Sequence, residues 1–170
     1  FEPLLIGDLP FLVGATDAAP TLALRPDPAR VDEIRRRLAA LGPAPYTALT
    51  WRAGIQDGKS LSKIVPLEML GRAVREAPGT LISIQRGPAA GETERLARIV
   101  GRPVHDLSQV NDDLVRMLAL LSLLDDYIGV SNTNMHLRAG LELPARVLIP
   151  HPPEFRWLAV GDRSRSEEHT

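Results

Sequence analysis

The chain of 170 residues contains no cysteine and no long hydrophobic run. Without cysteine it has no disulfide, no thiolate metal site and no cysteine nucleophile. The longest apolar stretch, residues 117–124, is far shorter than the roughly 20 residues that a membrane-spanning helix needs. Nothing at the start resembles a secretory signal, so a cytoplasmic location is the expectation.

The chain also lacks an excess of charge of one sign. Twenty Lys and Arg residues stand against 21 Asp and Glu residues, which gives a net charge of −1. The longest basic run, residues 35–37, is typical of the solvated face of a helix. This balance argues against nucleic acid as a partner. Lysine is scarce, and Lys59 and Lys63 fall in the same predicted loop.

The length suits one domain with a substantial core, and the pattern along the chain divides it further. Residues 1–25 contain several prolines and no long segment with the periodicity of a helix or a strand. Residues 26–45 predict a connector helix and a Gly-Pro linker, and residues 46–164 predict the main domain. Residues 165–170 resemble a translated adapter sequence, so we interpret them as a non-native tail that carries no site.

Strands and helices alternate through the main domain. This alternation predicts an α/β fold, a Rossmann-like parallel sheet with helices on both faces. The helix at 111–124, capped by Asn111, is apolar nearly all round and should be buried on more than one side, as an interface with a second lobe would explain. Strands are predicted at 46–51, 80–85, from 104, 127–130 and 145–149, and helices at 27–41, 66–77, 92–100, 111–124 and 133–141.

The loop after the first predicted strand, residues 52–65, is long for a strand–helix connection, which usually has about 2–6 residues. It contains Gly54, Lys59, Ser60 and Lys63. Flexible backbone, hydroxyl groups and ammonium groups are the components of a phosphate-binding loop. The loop is therefore a candidate anion site, because ligands of such sheets bind beyond the carboxyl ends of the strands.

Part of this loop, from Ala53 to Ser60, nearly matches the nucleotide-binding P-loop, with alanine at the first glycine position. A true P-loop continues directly into a helix whose amides face the phosphates. Pro66 stands six residues after Ser60, where its ring would obstruct that helix. We interpret the match as fortuitous but keep a P-loop phosphohydrolase as an alternative.

The loop after the fourth predicted strand has the sharpest polar signal. Ser131, Asn132, Thr133 and Asn134 follow the strand directly, and a helix begins among them. Free amides at a helix start favour an anion, whereas capping needs only Asn132 or Asn134. His136 lies one turn into the helix, where a lone histidine is more often a structural hydrogen-bonding group. No metal is expected, since no further ligand stands at metal-binding spacing.

At this loop the sequence resembles bacterial glycosyltransferases of the GT-B fold, the heptosyltransferase-like kind and their tetratricopeptide-linked relatives. In that family the fourth strand of the nucleotide half closes with Val-Asp-Thr-Gly-x-x-His-Leu-x-Ala. Aligned on the histidine, Val130, His136, Leu137 and Ala139 match this pattern, while Ser131 stands at the acidic position.

Two further stretches agree with the resemblance. The segment from Lys63 to Pro66 is similar to the family's Lys-x-Trp-Pro, whose lysine contacts the donor phosphates. Residues 150–157 resemble the Pro-x-x-Pro-(Asp/Glu)-Trp-Arg-Trp segment of the tetratricopeptide-linked members. The resemblance covers residues 46–164 and implies the C-terminal half of a GT-B fold. Residues 1–25 would then be a remnant of the N-terminal lobe, and tetratricopeptide repeats could belong to the same full-length chain.

The resemblance implies transfer of a hexosyl or heptosyl group from a nucleotide-diphosphate donor to an acceptor hydroxyl, without a metal or separate cofactor. The acceptor (a glycan, lipid or protein) stays open. The catalytic base would come from the N-terminal lobe, so the fragment should bind nucleotide and turn over little or nothing. The implied diphosphate contacts are Lys63, Ser131, Asn132, Thr133, Asn134 and His136, with Lys59, Ser60 and Gly54 in support, and the implied base and ribose contacts are Gln85, Arg86 and Asp106.

Three functions are therefore weighed. The first is the nucleotide-sugar half of a glycosyltransferase, and the second is a P-loop nucleotide phosphohydrolase. The third is a non-catalytic α/β interaction module, which the serine at position 131 supports. A plain surface turn also explains Gln85 and Arg86 as well as a ligand contact does. The two lysines and the polar cluster at neighbouring strand ends favour the first function.

Overall fold

The computed structural model of the chain describes residues 12–14, 22–53 and 63–149. No helix among these residues is long and apolar enough to cross a membrane. The described elements are α1 (Pro28–Leu41), β1 (Tyr46–Leu49), β2 (Arg52–Ala53), β3 (Lys63–Ile64), α2 (Leu67–Ala73), β4 (Thr80–Ser83), α3 (Glu92–Val100), β5 (Val104–Asp106), a 3-10 helix (Ser108–Asp112), α4 (Leu114–Ser122), β6 (Asp126–Val130), α5 (Thr133–Gly140) and β7 (Arg146–Leu148).

Five strands form one parallel sheet in the order β5-β4-β1-β6-β7. The chain builds from β1 outward to β4 and β5, and then returns to the other side of β1 to add β6 and β7. The order therefore reverses between β1 and β6, and the ends of these two strands border a crevice. This topology confirms the predicted Rossmann-like parallel sheet.

The two faces of the sheet carry separate apolar clusters, because successive side chains of a strand point to opposite sides. Ala48 of β1 and Ile82 of β4 belong to the cluster formed with α1, α4 and α5. Leu49 and Leu81, their neighbours in sequence, belong to the cluster formed with α2 and α3. Helices thus cover both faces, as the alternation of elements predicted.

The predicted connector helix, α1, is part of the core. Asp27 caps it by accepting a hydrogen bond from the Arg30 amide at 3.1 Å. Ile34 and Leu38 are only 1% exposed, and the helix packs against α4. The packed unit therefore extends back to Asp27, whereas the role of residues 26–45 as a connector to another lobe stays a prediction.

The start of α4 differs from the prediction. Asp113 caps this helix, because its carboxylate accepts hydrogen bonds from the Val115 amide at 2.9 Å and the Arg116 amide at 3.1 Å. Asn111, the predicted cap, lies in the preceding 3-10 helix. The helix packs between α1 and α5, so contacts inside this domain account for most of its apolar surface, while Leu114 stays 57% exposed.

A buried arginine, Arg138 of α5, holds the C-terminal end of α4. It is 1% exposed, and its guanidinium donates hydrogen bonds to four backbone carbonyls: those of Leu121 at 2.9 Å, Leu124 at 3.1 Å, Asp125 at 3.4 Å and Pro144. Burial lowers the pKa of Arg138, and nearby acidic groups partly offset that effect. A cation at this place also interacts favourably with the helix dipole.

Replacement of Arg138 by methionine is expected to lower the free energy of unfolding by about 3 kcal/mol, because four carbonyls lose their buried charged donor. The midpoint and slope of urea unfolding measure this loss. Arg37→Met, at an exposed position of α1, is the control and should change stability by less than about 0.5 kcal/mol. Equal midpoints for the two variants would contradict the prediction.

Candidate functional site

A cleft of about 520 Å³ opens at the carboxyl ends of β1, β4 and β6. Its position is the point at which the strand order reverses, where doubly wound sheets bind their ligands. Its lining residues are Arg52, Ala53, Lys63, Gln85, Arg86, Asn111, Leu114, Ser131, Asn132, Thr133, Asn134 and His136.

The cleft brings together residues that follow three different strands. Lys63 comes from the predicted loop 52–65, Gln85 and Arg86 from the turn at the end of the second predicted strand, and residues 131–134 with His136 from the segment after the fourth. These segments are far apart in the chain and meet because the carboxyl ends of parallel strands share one edge of the sheet.

One predicted residue, Asp106, is not part of this lining, and three others cannot be compared with it. Asp106, at the end of β5, accepts a hydrogen bond from the Ser108 amide at 2.7 Å and so begins the 3-10 helix. The structure therefore gives Asp106 a local structural role rather than a place in the cleft. Gly54, Lys59 and Ser60 lie outside the described residues.

The cleft is suited to an anion. Among the described residues, its lining includes the basic side chains of Arg52, Lys63, Arg86 and His136 and no aspartate or glutamate. The N-terminus of α5 also borders it, since Thr133 is the first residue of that helix. The first amides of a helix have no acceptor within the helix, and the helix dipole adds positive potential there.

Asn132 is the cap of α5 and closes a ring of hydrogen bonds with two buried residues, Thr50 and Tyr127. Its Oδ1 accepts from the Met135 amide at 3.2 Å and from the Tyr127 hydroxyl at 2.9 Å. Its Nδ2 donates to the Thr50 hydroxyl at 3.0 Å, and the hydroxyls of Thr50 and Tyr127 are 2.9 Å apart. The Asn132 side chain thus anchors the loop, and the predicted anion contact at this position rests on the backbone.

The ring needs the glycine at position 129 and a protonated tyrosine. A Cβ added to Gly129 would lie 2.0 Å from the Thr50 hydroxyl oxygen, so a side chain there would displace Thr50. Burial raises the pKa of Tyr127, which keeps its hydroxyl a donor. Tyr127 donates to Asn132 and Asn132 to Thr50, so Thr50 is left to donate to Tyr127. Each member of the ring donates once and accepts once within it.

Asn134 ties the same helix to the neighbouring strand end. It is 6% exposed, and its Nδ2 donates to Oδ1 of Asn111 at 3.2 Å. Asn111 in turn donates to the carbonyls of Ile84 at 3.1 Å and Ser108 at 2.7 Å. The polar cluster therefore does more than cap the helix, since two of its side chains fix α5 to the ends of β1, β4 and β6.

Gln85 is a structural residue of the cleft wall. Its Oε1 accepts from the amides of Trp51 at 2.9 Å and Arg52 at 3.0 Å. Its Nε2 donates to the carbonyls of Arg52 at 3.1 Å and Arg86 at 3.0 Å. All four hydrogen-bonding positions of the amide are occupied. The side chain therefore holds the end of β4 to the chain after β1, and Arg86 is left as the predicted base or ribose contact in this loop.

An ion pair that the sequence analysis did not predict holds Arg52 in place. Glu92, at the start of α3, pairs with Arg52 and also accepts from the Trp51 indole at 2.9 Å and the Ala89 amide at 2.8 Å. Arg52 donates further to the Gly87 carbonyl at 2.8 Å. Burial raises the pKa of Glu92, but the hydrogen bonds from Arg52, Ala89 and Trp51 outweigh it and hold the pKa below its ordinary value.

Other cleft residues were missed for identifiable reasons. Arg52 had a usable signal, because it directly follows a buried strand end. The sequence predicts Asn111 as a helix cap, and the apolar pattern of the helix at 111–124 predicts burial for its side chains, which include Leu114. The pairing of Thr50 with Tyr127 joins residues 77 positions apart, and no local pattern indicates it.

The backbone from Lys63 onward does not follow the P-loop pattern. Lys63 and Ile64 form β3, which pairs antiparallel with β2 and sets Lys63 opposite Ala53. The next helix, α2, begins only at Leu67. In a P-loop the helix that starts at the Lys-Ser dipeptide would run through these strand positions. The strand therefore counts against a P-loop here.

No family model, no curated protein and no solved structure matches this chain. The chemistry of the cleft is therefore inferred from its own geometry. Within the described residues, no group of three His, Cys, Asp or Glu side chains could hold a metal ion. Independence of a metal stays a prediction.

The ion pair of Glu92 predicts a pH-dependent contribution to stability. Because the pKa of Glu92 is lowered in the folded protein, its contribution is complete above the ordinary value of 4.5 and is lost as the pH falls through the lower folded-state value. Glu92→Gln should lower the free energy of unfolding at pH 7 by about 1–3 kcal/mol. Urea unfolding measured from pH 7 to pH 3 should show this difference shrinking below about pH 4.5.

Glu94→Gln is the matched control for this pH series, since Glu94 is exposed on the same helix. It should leave the unfolding midpoint nearly unchanged at every pH. A difference between unmodified protein and Glu92→Gln that stays constant down to pH 3 would contradict the role of the carboxylate charge.

The ring at the start of α5 is tested by two substitutions of one residue. Asn132→Ala removes the cap and both hydroxyl contacts and should cost about 2–3 kcal/mol of unfolding free energy. Asn132→Ser keeps a capping oxygen and should recover about 1 kcal/mol of this loss. Thermal and urea unfolding compare the two, and equal stability of both variants would show that Asn132 does not act as the cap.

Proposed function

We propose that this domain binds the nucleotide-diphosphate part of a sugar donor and forms the donor half of a glycosyltransferase. The observation that carries the proposal is the joining of basic side chains and the α5 N-terminus in one cleft at the reversal of the strand order. In doubly wound sheets this is the place at which nucleotides bind.

The diphosphate end of the cleft is formed by Lys63 and the start of α5. β3 pairs with β2, and its Lys63 lines the same cleft as Ser131 and Thr133. Phosphate oxygens suit the amides of a helix N-terminus together with an ammonium group and hydroxyl groups. His136, exposed one turn along the helix, is a further proposed donor at this end.

The nucleoside end is assigned to Arg86 and Leu114. Leu114 is 57% exposed and offers an apolar surface to a base, and Arg86 is an exposed cation of the same lining. The volume of about 520 Å³ lies within the range of about 300–1,000 Å³ typical of small-molecule sites. A nucleoside diphosphate therefore fits both the size and the charge of the cleft.

The chemistry assigned to this half is electrostatic. When the sugar bond breaks, negative charge develops on the departing diphosphate, and fixed cations and amides stabilise it. The proposal includes no catalytic base among the described residues and assigns it to another lobe, so binding without turnover is expected. The acceptor and any tetratricopeptide repeats stay open, and a cytoplasmic location belongs to the same proposal.

A titration of UDP, ADP and GDP by calorimetry, with and without magnesium, tests the proposal. We expect one diphosphate to bind without magnesium and Lys63→Ala to weaken it roughly 10- to 100-fold, the value of one charged hydrogen bond. Arg37→Ala, at an exposed position of α1, is the matched control for loss of a cation and should leave the affinity unchanged.

The same titration separates the alternatives. Magnesium-dependent binding of ATP that is lost in Lys59→Ala would support the P-loop phosphohydrolase and overturn our proposal. No binding of any nucleotide would favour the non-catalytic α/β interaction module. An equal loss of affinity in Lys63→Ala and Arg37→Ala would show that the cleft is not the site.

A further inference from the structure

A second cleft, which we call the β7 groove, lies on the α2 side of the sheet. It has a volume of about 360 Å³ and a mainly apolar lining. Several of its side chains are exposed despite being large and apolar: Met69 is 65%, Ile64 47%, Ile149 42% and Leu148 37% exposed. Soluble proteins seldom leave such contiguous apolar surface uncovered without a partner for it.

The groove is a place where this face of the sheet is incompletely covered. Helices cover both faces of a parallel sheet, and here α5 connects β6 to β7 across the opposite face. On the groove side, α2 contributes Met69 and Leu70 at one wall, while β6 and β7 contribute Ile128 and Leu148. On this side of the sheet, the described residues other than those of α2 leave the β7 edge exposed to solvent.

We propose that residues 150–160 of the same chain pack into the β7 groove. The groove includes Ile149, and the chain continues directly from it. The continuation carries Phe155, Trp157, Leu158 and Val160, which supply the apolar side chains that the groove lacks. From Ile149 to Trp157 an extended chain reaches at most about 28 Å, well beyond the length of about 10 Å of the seven-residue helix α2.

The other segments outside the described residues suit the groove less well. Residues 1–11 and 15–21 precede Leu22, and nearby, on the opposite face, the Leu24 amide donates to the Gly140 carbonyl at 2.6 Å. Residues 54–62 are mainly polar, with Ile55 and Leu61 as their large apolar side chains. Continuity and composition together therefore select the segment after Ile149. This inference is independent of the nucleotide proposal.

The fluorescence of Trp157 in the full chain tests this packing. Trp51, the other tryptophan, is 1% exposed, so the difference between the full chain and its Trp157→Phe variant isolates the emission of Trp157. We expect an emission maximum at shorter wavelength than that of free tryptophan and a severalfold lower acrylamide quenching constant.

Two groove variants and one control complete the test. Met69→Glu and Ile149→Glu place a charge on exposed groove positions and should shift the Trp157 emission to longer wavelength and raise its quenching toward that of free tryptophan. Val115→Glu, at a 51% exposed position of α4 on the other face, should leave both unchanged. Circular dichroism confirms that each variant is folded.

Three results would overturn the inference. The first is quenching of Trp157 in the unmodified chain as strong as that of free tryptophan. The second is protection of Trp157 that survives both groove substitutions. The third is protection lost on dilution together with a dimer seen by light scattering, which would assign the groove to a second copy of the chain.

Discussion

The candidate site depends on how the ends of β1 and β6 are held beside each other. These strands lead to elements on opposite faces of the sheet, so a crevice lies between their ends. The ring of Thr50, Tyr127 and Asn132 joins these strands with one buried and two partly buried hydrogen bonds. Buried polar groups stabilise only when all are paired, and a paired ring is rigid. The N-terminus of α5 is therefore held in a fixed position at the cleft.

Because of this constraint, the polar residues of the cleft have two different roles. Ligand contacts are predicted for Asn132, Asn134 and Gln85. In the structure, the side chains of these residues form hydrogen bonds that hold the loops to one another. Ligand contacts are left to cations and to backbone amides, which the side-chain anchors keep in place. Amides fixed in this way stabilise an anion with little reorganisation, which is how preorganised sites gain their effect.

The fold could be predicted because strand and helix patterns alternate at regular spacing, and the cleft could be predicted because parallel strands end at one edge. Partners of individual side chains could not be predicted. The choice of Asp113 over Asn111 as a helix cap depends on which oxygen reaches two amides. The β2–β3 pair and the contacts of Arg138 with α4 arise from chain segments that only tertiary structure brings together. Local pattern carries no information about such contacts.

The serine at position 131 bears on the choice between a donor site and an inactive module. Ser131 is 5% exposed in the cleft wall beside the start of α5. A carboxylate there would compete with a ligand phosphate for the helix amides, since both are anions. Serine avoids that competition and keeps a hydroxyl group. A serine at position 131 is therefore compatible with the diphosphate site that we propose.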